Sequence, residues 1–230
     1  MSEYQYNKVT PEMIEKFKEI APKRVLVGDE INEDFTHDEM AIYGKARPEV
    51  LVEATSTEEV AAVVKLCNEN KVPVTPSGAR TGLVGGAVSI GGGVMISLTK
   101  MNKILGYDKE NFVVKIQSGV LLNDLAQDAE KQGLLYPPDP GEKFACVGGN
   151  VATNAGGMRA VKYGCTRDYV RAMTVVLPTG EIVKLGATVS KTSSGYSLLN
   201  LMIGSEGTLG IITELTLKVI PAPKSVISLI

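Results

Sequence analysis

Two hydrophobic periods alternate along the chain, and where one gives way to the other the elements can be placed. In "STEEVAAVVKLCNEN", residues 56–70, Val60, Val63, Val64 and Cys67 recur at spacings of three and four. That is the apolar stripe of a helix buried on one side. Ser56 and Glu59 open it with the spacing of a capping box. The flanking "EVLVEA" and "VPVTP" have the β-branched, short-range character of strands, so this region predicts a β-α-β unit. "VMISL" and "FVVKIQSG" predict two more strands, and "LLNDLAQDAEKQG" a helix with Gly133 as its C-cap. "MTVVLPTGEIVKLG" predicts a hairpin turning at Pro178, Thr179 and Gly180. "YSLLNLMIG" predicts a short helix, and "GIITELTLKVIPAP" a long alternating strand closed by prolines. Near the start, Thr10 and Pro11 suit the N-cap and first turn of a helix through "EMIEKFKEI". Residues 29–47 are polar and irregular, and 136–164, rich in Pro, Gly and Asn, predict mostly loop. The first part reads as β-α-β and the later part as antiparallel, with a border near 106–112.

The stretch "TPSGARTGLVGGAVSIGGGV", residues 75–94, departs from both periods. It holds seven of the chain's 24 glycines, and Arg80 is its only charge. No charge follows between Arg80 and Lys100, but so many glycines argue against a membrane helix and for a turn-rich loop feeding a strand. Glycine clusters let backbone N–H groups approach a phosphate with no Cβ in the way. The Walker A pattern is absent, since no Gly-Lys pair is followed by Ser or Thr. The spacing Gly78, Gly82, Gly85, Gly86 is not the dinucleotide fingerprint either, and the loop runs into a strand rather than a helix. A plain turn stays open for this loop taken alone. It weakens because "CVGGNVATNAGGMRAVKYG" and "GSEGTLGIITE" repeat the character further on. Three glycine-rich loops beside element ends point to one extended ligand, with a dinucleotide the natural choice.

Composition narrows the chemistry. The 230 residues carry a net charge of −2 and no basic block, which speaks against nucleic acid as a partner. Cys67, Cys146 and Cys165 are scattered, with no C-x-x-C pair, so zinc and iron–sulfur sites are not indicated and reduced cytoplasmic thiols are. The opening residues lack the apolar core of a signal peptide. His37 is the single histidine, which argues against a self-contained Ser-His-Asp, Cys-His or multi-histidine metal site.

The segments "PSGARTGLVGGA", "PPDPGEKFACVGGNVATNAGGMRAVKYG", "KTSSGYSLLNLMIGSEGTLGIITE" and the closing "PAP" resemble, in order, the FAD-binding domain of vanillyl-alcohol-oxidase (PCMH-type) flavoproteins. Within it they resemble the branch that holds the D-type subunit of glycolate oxidase, D-lactate dehydrogenases and D-2-hydroxyglutarate dehydrogenase. The resemblance implies an α+β fold with a smaller N-terminal β-α-β subdomain (47–108) and a larger, mainly antiparallel one (109–224) enclosing FAD. Residues 1–46 would form an N-terminal helix and arm, and 225–230 the start of a cap domain. It also implies a cofactor set. Gly78, Ala79, Arg80, Thr81, Gly82 and Leu83 would cradle the pyrophosphate, with Pro76, Gly86 and Ala87 beside them. Val147, Gly148, Gly149, Ala152, Thr153, Asn154, Gly156, Gly157 and Gly164 would run along the isoalloxazine and ribityl chain, with Pro138 and Asp139 near the ring. Glu206, Gly207, Gly210, Ile211 and Ile212 would hold the adenosine half. Ile212, taken alone on a strand, reads as a core residue before a ligand contact.

Some relatives attach the flavin through a histidine where Arg80 stands, so non-covalent FAD is implied here. The reaction implied is hydride transfer from C2 of a D-2-hydroxy acid, D-lactate or glycolate foremost, to flavin N5. The catalytic histidine, substrate-binding arginines and any divalent metal would belong to the cap, so no catalytic residue is assigned within these 230. Electrons would pass to an electron-transfer flavoprotein or another acceptor, as in electron-bifurcating lactate dehydrogenases. Two alternatives stand beside this: a cap-less flavin-binding module, and an enzyme resembling UDP-N-acetylmuramate reductase.

Overall fold

A computed structural model describes residues 6–40, 42 and 44–225; of the expected cap start, 226–230 lie outside the described residues. The first lobe is built on a four-stranded sheet. Strands β2 (Val50–Glu53) and β3 (Val74–Ser77) lie parallel on either side of β4 (Val94–Ser97), and β1 (Val25–Val27) adds antiparallel to β2, giving the order β1-β2-β4-β3. Helix α2 (Thr57–Glu69) is the crossover between β2 and β3. Val50, Val52, Val94 and Ile96 point from the sheet into its stripe of Val60, Val63, Val64 and Cys67. Helix α1 (Pro11–Ile20) adds Met13 and Phe17 to the same core, and Thr10 caps it by accepting the Met13 N–H. The intervening strand positions, Leu51 and Met95, face the other way, onto Ile31 and Phe35. The polar segment after β1 is thus the cover of the sheet's second face, which is why β2 and β4 are apolar without alternation. Strand β1 was not foreseen, being too short for its period to register.

The capping box at Ser56 is half realised. Ser56 Oγ accepts the Glu59 N–H at 3.2 Å, but the Glu59 carboxylate goes to the Thr55 N–H at 2.8 Å and to Arg24 Nη1 at 2.7 Å. The Arg24 guanidinium holds the Glu59 carboxyl below the usual carboxylate range, against the opposing effect of burial. A lowered folded-state pKa contributes stability above the unfolded value and loses it as pH falls through the folded one. Glu59→Gln is therefore expected to cost about 1–2 kcal/mol at neutral pH. Urea denaturation should show that cost shrinking once the pH drops below the ordinary glutamate range; a cost independent of pH would count against the pair.

The second lobe is a five-stranded sheet, antiparallel throughout, in the order β5-β6-β10-β8-β9. Its strands are β5 (Ile104–Asp108), β6 (Val113–Gln117), β8 (Val170–Val176), β9 (Ile182–Gly186) and β10 (Ile211–Lys218). Helices α3 (Leu122–Lys131) and α4 (Val147–Ala152) pack Leu125, Val147 and Val151 onto Ile116, Leu215 and Met173. A two-stranded ribbon of β7 (Leu134–Leu135) and β11 (Ile220–Pro221), and the short helices α5 (Ala160–Tyr163) and α6 (Leu198–Met202), complete it. The chain changes sheets between β4 and β5, ahead of the border expected at 106–112, because Ile104–Asp108 is the hairpin partner of Val113–Gln117. The arm before residue 47 is likewise part of the first lobe through α1 and β1. Gly133, at φ +73°, follows the cap residue Gln132 rather than being the cap itself.

Strand β10 does not alternate between core and solvent as expected. Ile211 joins the first lobe's core together with Val176, while Ile212 joins the second lobe's. Thr213 between Ile212 and Glu214 is fully buried and accepts the Thr57 hydroxyl at 2.9 Å from the start of α2. The same alternation that faces a sheet toward one core here serves two, and it locks the lobes together. In the region 136–164, expected to be loop, α4 and α5 are helical. Gly148 and Gly149 lower the local helix propensity. Packing overrides it: a Cβ on Gly148 would lie 2.5 Å from the Ser118 Cβ, so α4 rests its backbone directly on the end of β6.

Candidate cofactor cleft

Where the lobes meet lies a cleft of about 460 Å³. The β3–β4 loop lines it with Pro76, Gly78, Ala79, Arg80, Thr81, Gly82, Leu83, Gly86 and Ala87. Helix α4 and the turn after it contribute Gly148, Gly149, Ala152, Thr153, Asn154 and Gly156. Glu206, Gly207, Gly210, Ile211 and Ile212 close it from the turn into β10. The three glycine-rich stretches, spread along the chain from Pro76 to Ile212, thus share one space.

The backbone of each loop is shaped by its neighbours. In the first, Gly78 backs onto α4's cap residue, a Cβ there falling 3.1 Å from the Cys146 Cβ. The Glu39 N–H donates to the Gly82 carbonyl at 3.1 Å and ties the arm to the loop. Among the described residues, no backbone or side-chain acceptor takes the N–H of Gly78, Arg80, Thr81, Gly82 or Leu83. A run of unmet donors at a cleft wall is a cradle for an anion. Helix α4, by contrast, has the Val147 and Gly148 N–H groups committed to the Val120 and Ser118 carbonyls, each at 2.8 Å. Each loop also holds one non-glycine residue in the left-handed region: Arg80 at φ +62°, Asn154 at +49° and Glu206 at +53°. Such conformations gather where a site dictates the backbone.

Arg80 is the cleft's cation. Its guanidinium stacks 4.1 Å above the Phe35 ring, and Nη1 donates to the Gly78 carbonyl at 3.2 Å. Burial lowers its pKa from the ordinary arginine value, with Asp34 opposing. It makes no ion pair among the described residues. The charge is therefore held, oriented and uncommitted, beside the free N–H groups. Burial likewise raises the Cys146 thiol, only partly offset by the Ala79 N–H and Arg80, so it stays a neutral lining group.

Five expected site residues are not among those that line the cleft. Val147 is fully buried in the second core. Pro138 and Asp139 belong to a supporting loop, with the Asp139 carboxylate 3.4 Å from Lys143 and 3.6 Å from Arg159. Gly157 is pressed against that loop, since a Cβ would sit 1.8 Å from the Asp139 carbonyl oxygen. Gly164, at φ +89°, packs on Asp168. Conversely, Asp38, Ser118 and Cys146 line the cleft without having been singled out. Cys146 sits inside the quoted second motif, so adjacency could have found it. Asp38 and Ser118 carry no pattern of their own.

Residues 48–186 match the FAD binding domain family. The chain belongs to that family. Over all 230 residues it is 99% identical to a D-lactate dehydrogenase of Anaerostipes hadrus, of which it spans 48%. It is 41% identical over 182 residues to the glycolate oxidase protein GlcD of Bacillus subtilis, covering 79% of this chain and 39% of that one. Among solved structures, alkyldihydroxyacetonephosphate synthase superposes with a TM-score of 0.84 at 27% identity, covering 96% of this chain and 42% of the other. The chain thus spans about half the length, or less, of the relatives it matches.

The cleft of this FAD-binding domain suits the cofactor on its own geometry. The unmet N–H groups and Arg80 answer a pyrophosphate. A Cβ on Gly149 would meet nothing within 4 Å, so that position opens onto the cleft and lets a flat ring approach the backbone. Two buried polar atoms on the lining, Asp38 Oδ2 and Ser118 Oγ, have no partner among the described residues.

Proposed function

We propose that this chain is the FAD-holding part of an enzyme that oxidises a D-2-hydroxy acid, D-lactate or glycolate, to the 2-oxo acid. The supporting observation is the 99% identity across its whole length to a D-lactate dehydrogenase. FAD, when bound, supplies the acceptor for the hydride leaving C2 of the acid. The chain's own part is to hold and orient it. The 78–83 loop with Arg80 takes the pyrophosphate, the 148–156 wall lies along the ring and ribityl chain, and 206–212 receives the adenosine half. Gly157, against Asp139, and Gly164, against Asp168, shape the chain that follows that wall. We read the attachment as non-covalent, since Arg80 occupies the position where related proteins attach flavin through histidine.

His37 is outside the cleft lining, its Nδ1 3.3 Å from Thr36 Oγ1, and we assign it no proton transfer. The base that takes the hydroxyl proton and the cations that anchor the carboxylate we place outside these residues. Electrons then pass to an electron-transfer flavoprotein or another acceptor in the cytoplasm. Among the described residues no helix is long and apolar enough to cross a membrane.

The test compares the FAD-loaded chain with the same chain extended by the second half of its Anaerostipes relative. Mixed anaerobically with D-lactate, the extended form should lose its flavin absorbance and the 230-residue form should keep it, while dithionite bleaches both. An extended form inert to D-lactate, glycolate and D-2-hydroxyglutarate but bleached by NADPH would overturn the proposal in favour of a reductase. Bleaching of the short form by D-lactate would move the base inside these residues.

A further inference from the structure

Asp38 follows the turn at Glu33–Thr36 and is only 5% exposed. Its Oδ1 accepts the Met40 N–H at 2.9 Å. Its Oδ2 is buried and has no partner among the described residues, yet Asp38 lines the cleft, and a Cβ on Gly82 would stand 3.9 Å from that oxygen. Arg80, the nearest cation of the same wall in sequence, stacks on Phe35 and does not pair with it. No cluster of acidic, histidine or cysteine side chains among the described residues could make it part of a metal site. A buried carboxylate oxygen demands a donor, and among the described residues no protein group provides one.

We infer that Asp38 is a ligand contact whose Oδ2 accepts a hydrogen bond from a sugar hydroxyl of bound FAD. The inference rests on the FAD reading of the cleft. A carboxylate repels phosphate and can only accept, so it must meet a donor group of the cofactor. The free N–H groups of Gly78, Arg80, Thr81, Gly82 and Leu83 would set the pyrophosphate along this loop. The donors that flank a pyrophosphate in FAD are the hydroxyls of the ribityl chain on one side and of the ribose on the other. Asp38 then does what the loop cannot: it offers negative charge beside a row of positive dipoles, and so selects a pyrophosphate that carries a sugar over a bare one.

The experiment titrates the flavin-stripped 230-residue chain with FAD, FMN, ADP and inorganic pyrophosphate by calorimetry. Asp38→Asn keeps an oxygen for the Met40 N–H and removes the charge, and Asp38→Ser keeps a hydroxyl cap should the first variant fail to fold. Each folded variant should bind FAD about tenfold more weakly, which is about 1.4 kcal/mol, with pyrophosphate bound as well as or better than by the parent. A loss shared by FMN and not ADP assigns the ribityl hydroxyls; a loss shared by ADP and not FMN assigns the ribose. FAD binding that is unchanged or tighter in the variants, or an equal loss toward pyrophosphate, overturns the inference, the second outcome making Asp38 a support of the loop. A wild-type chain that binds no FAD would sink the FAD reading itself, and this inference with it.

Discussion

Gly82→Val is expected to give a folded protein without FAD. The substitution needs no change of backbone, because Gly82 is not in the left-handed region, and a Cβ there meets only Asp38 Oδ2 at 3.9 Å. The added methyls enter the cleft beside the free N–H groups, where the pyrophosphate would lie. An affinity loss of at least about a hundredfold, some 2.7 kcal/mol, follows from blocking close approach of the phosphate. Flavin absorbance per protein after purification measures it, with thermal unfolding as the control. Arg80→Ala is the instructive comparison. It removes the cation and the stack on Phe35 but leaves the N–H groups, and should cost only about tenfold. A Gly82 variant that keeps its flavin would show that the loop is a turn and nothing more.

Gly119→Ala is expected to do the opposite, destroying the fold rather than emptying the cleft. Its Cβ would stand 2.1 Å from the Leu98 carbonyl oxygen and 2.9 Å from that of Met101. Both are backbone atoms of the segment where the chain leaves the first sheet for the second, and the Gly119 N–H already donates to Met101 at 2.8 Å. No side chain can rotate away to make room, so the backbone of the crossover itself must shift. We expect a loss of at least about 3 kcal/mol, well above the usual cost of adding a methyl to a core. Chemical denaturation of the variant beside the parent decides this; a shift smaller than about 1 kcal/mol would mean that the crossover is pliable.

These two glycines look alike on paper, and the contrast shows where sequence reasoning stops. Each precedes or follows a strand in a glycine-bearing stretch, and nothing local says that one faces ligand and the other a carbonyl. Gly157 and Gly164 make the same point within the second motif: both were expected at the cofactor, and both are wedged against the supporting Asp139 and Asp168. The residue type reports that a Cβ is unwelcome, not what would meet it.

Local pattern by itself determined the β2-α2-β3-β4 unit, α3 and the β8–β9 hairpin, because each buries one face of a regular period bounded by turn residues. It also pointed the three glycine loops at one shared site, since their number and order suit an extended contact. Only the tertiary structure decided that α4 is a helix despite Gly148 and Gly149, because its stability comes from lying on β6 rather than from propensity. Only the tertiary structure assigned Ile211 and Ile212 to different cores, since alternation names two faces without saying what covers them. Asp38 was invisible for the deepest reason. Its partner loop begins some forty residues later, and an irregular segment has no period from which its direction could be read; only the folding of the arm over the first sheet turns its carboxylate toward the cleft.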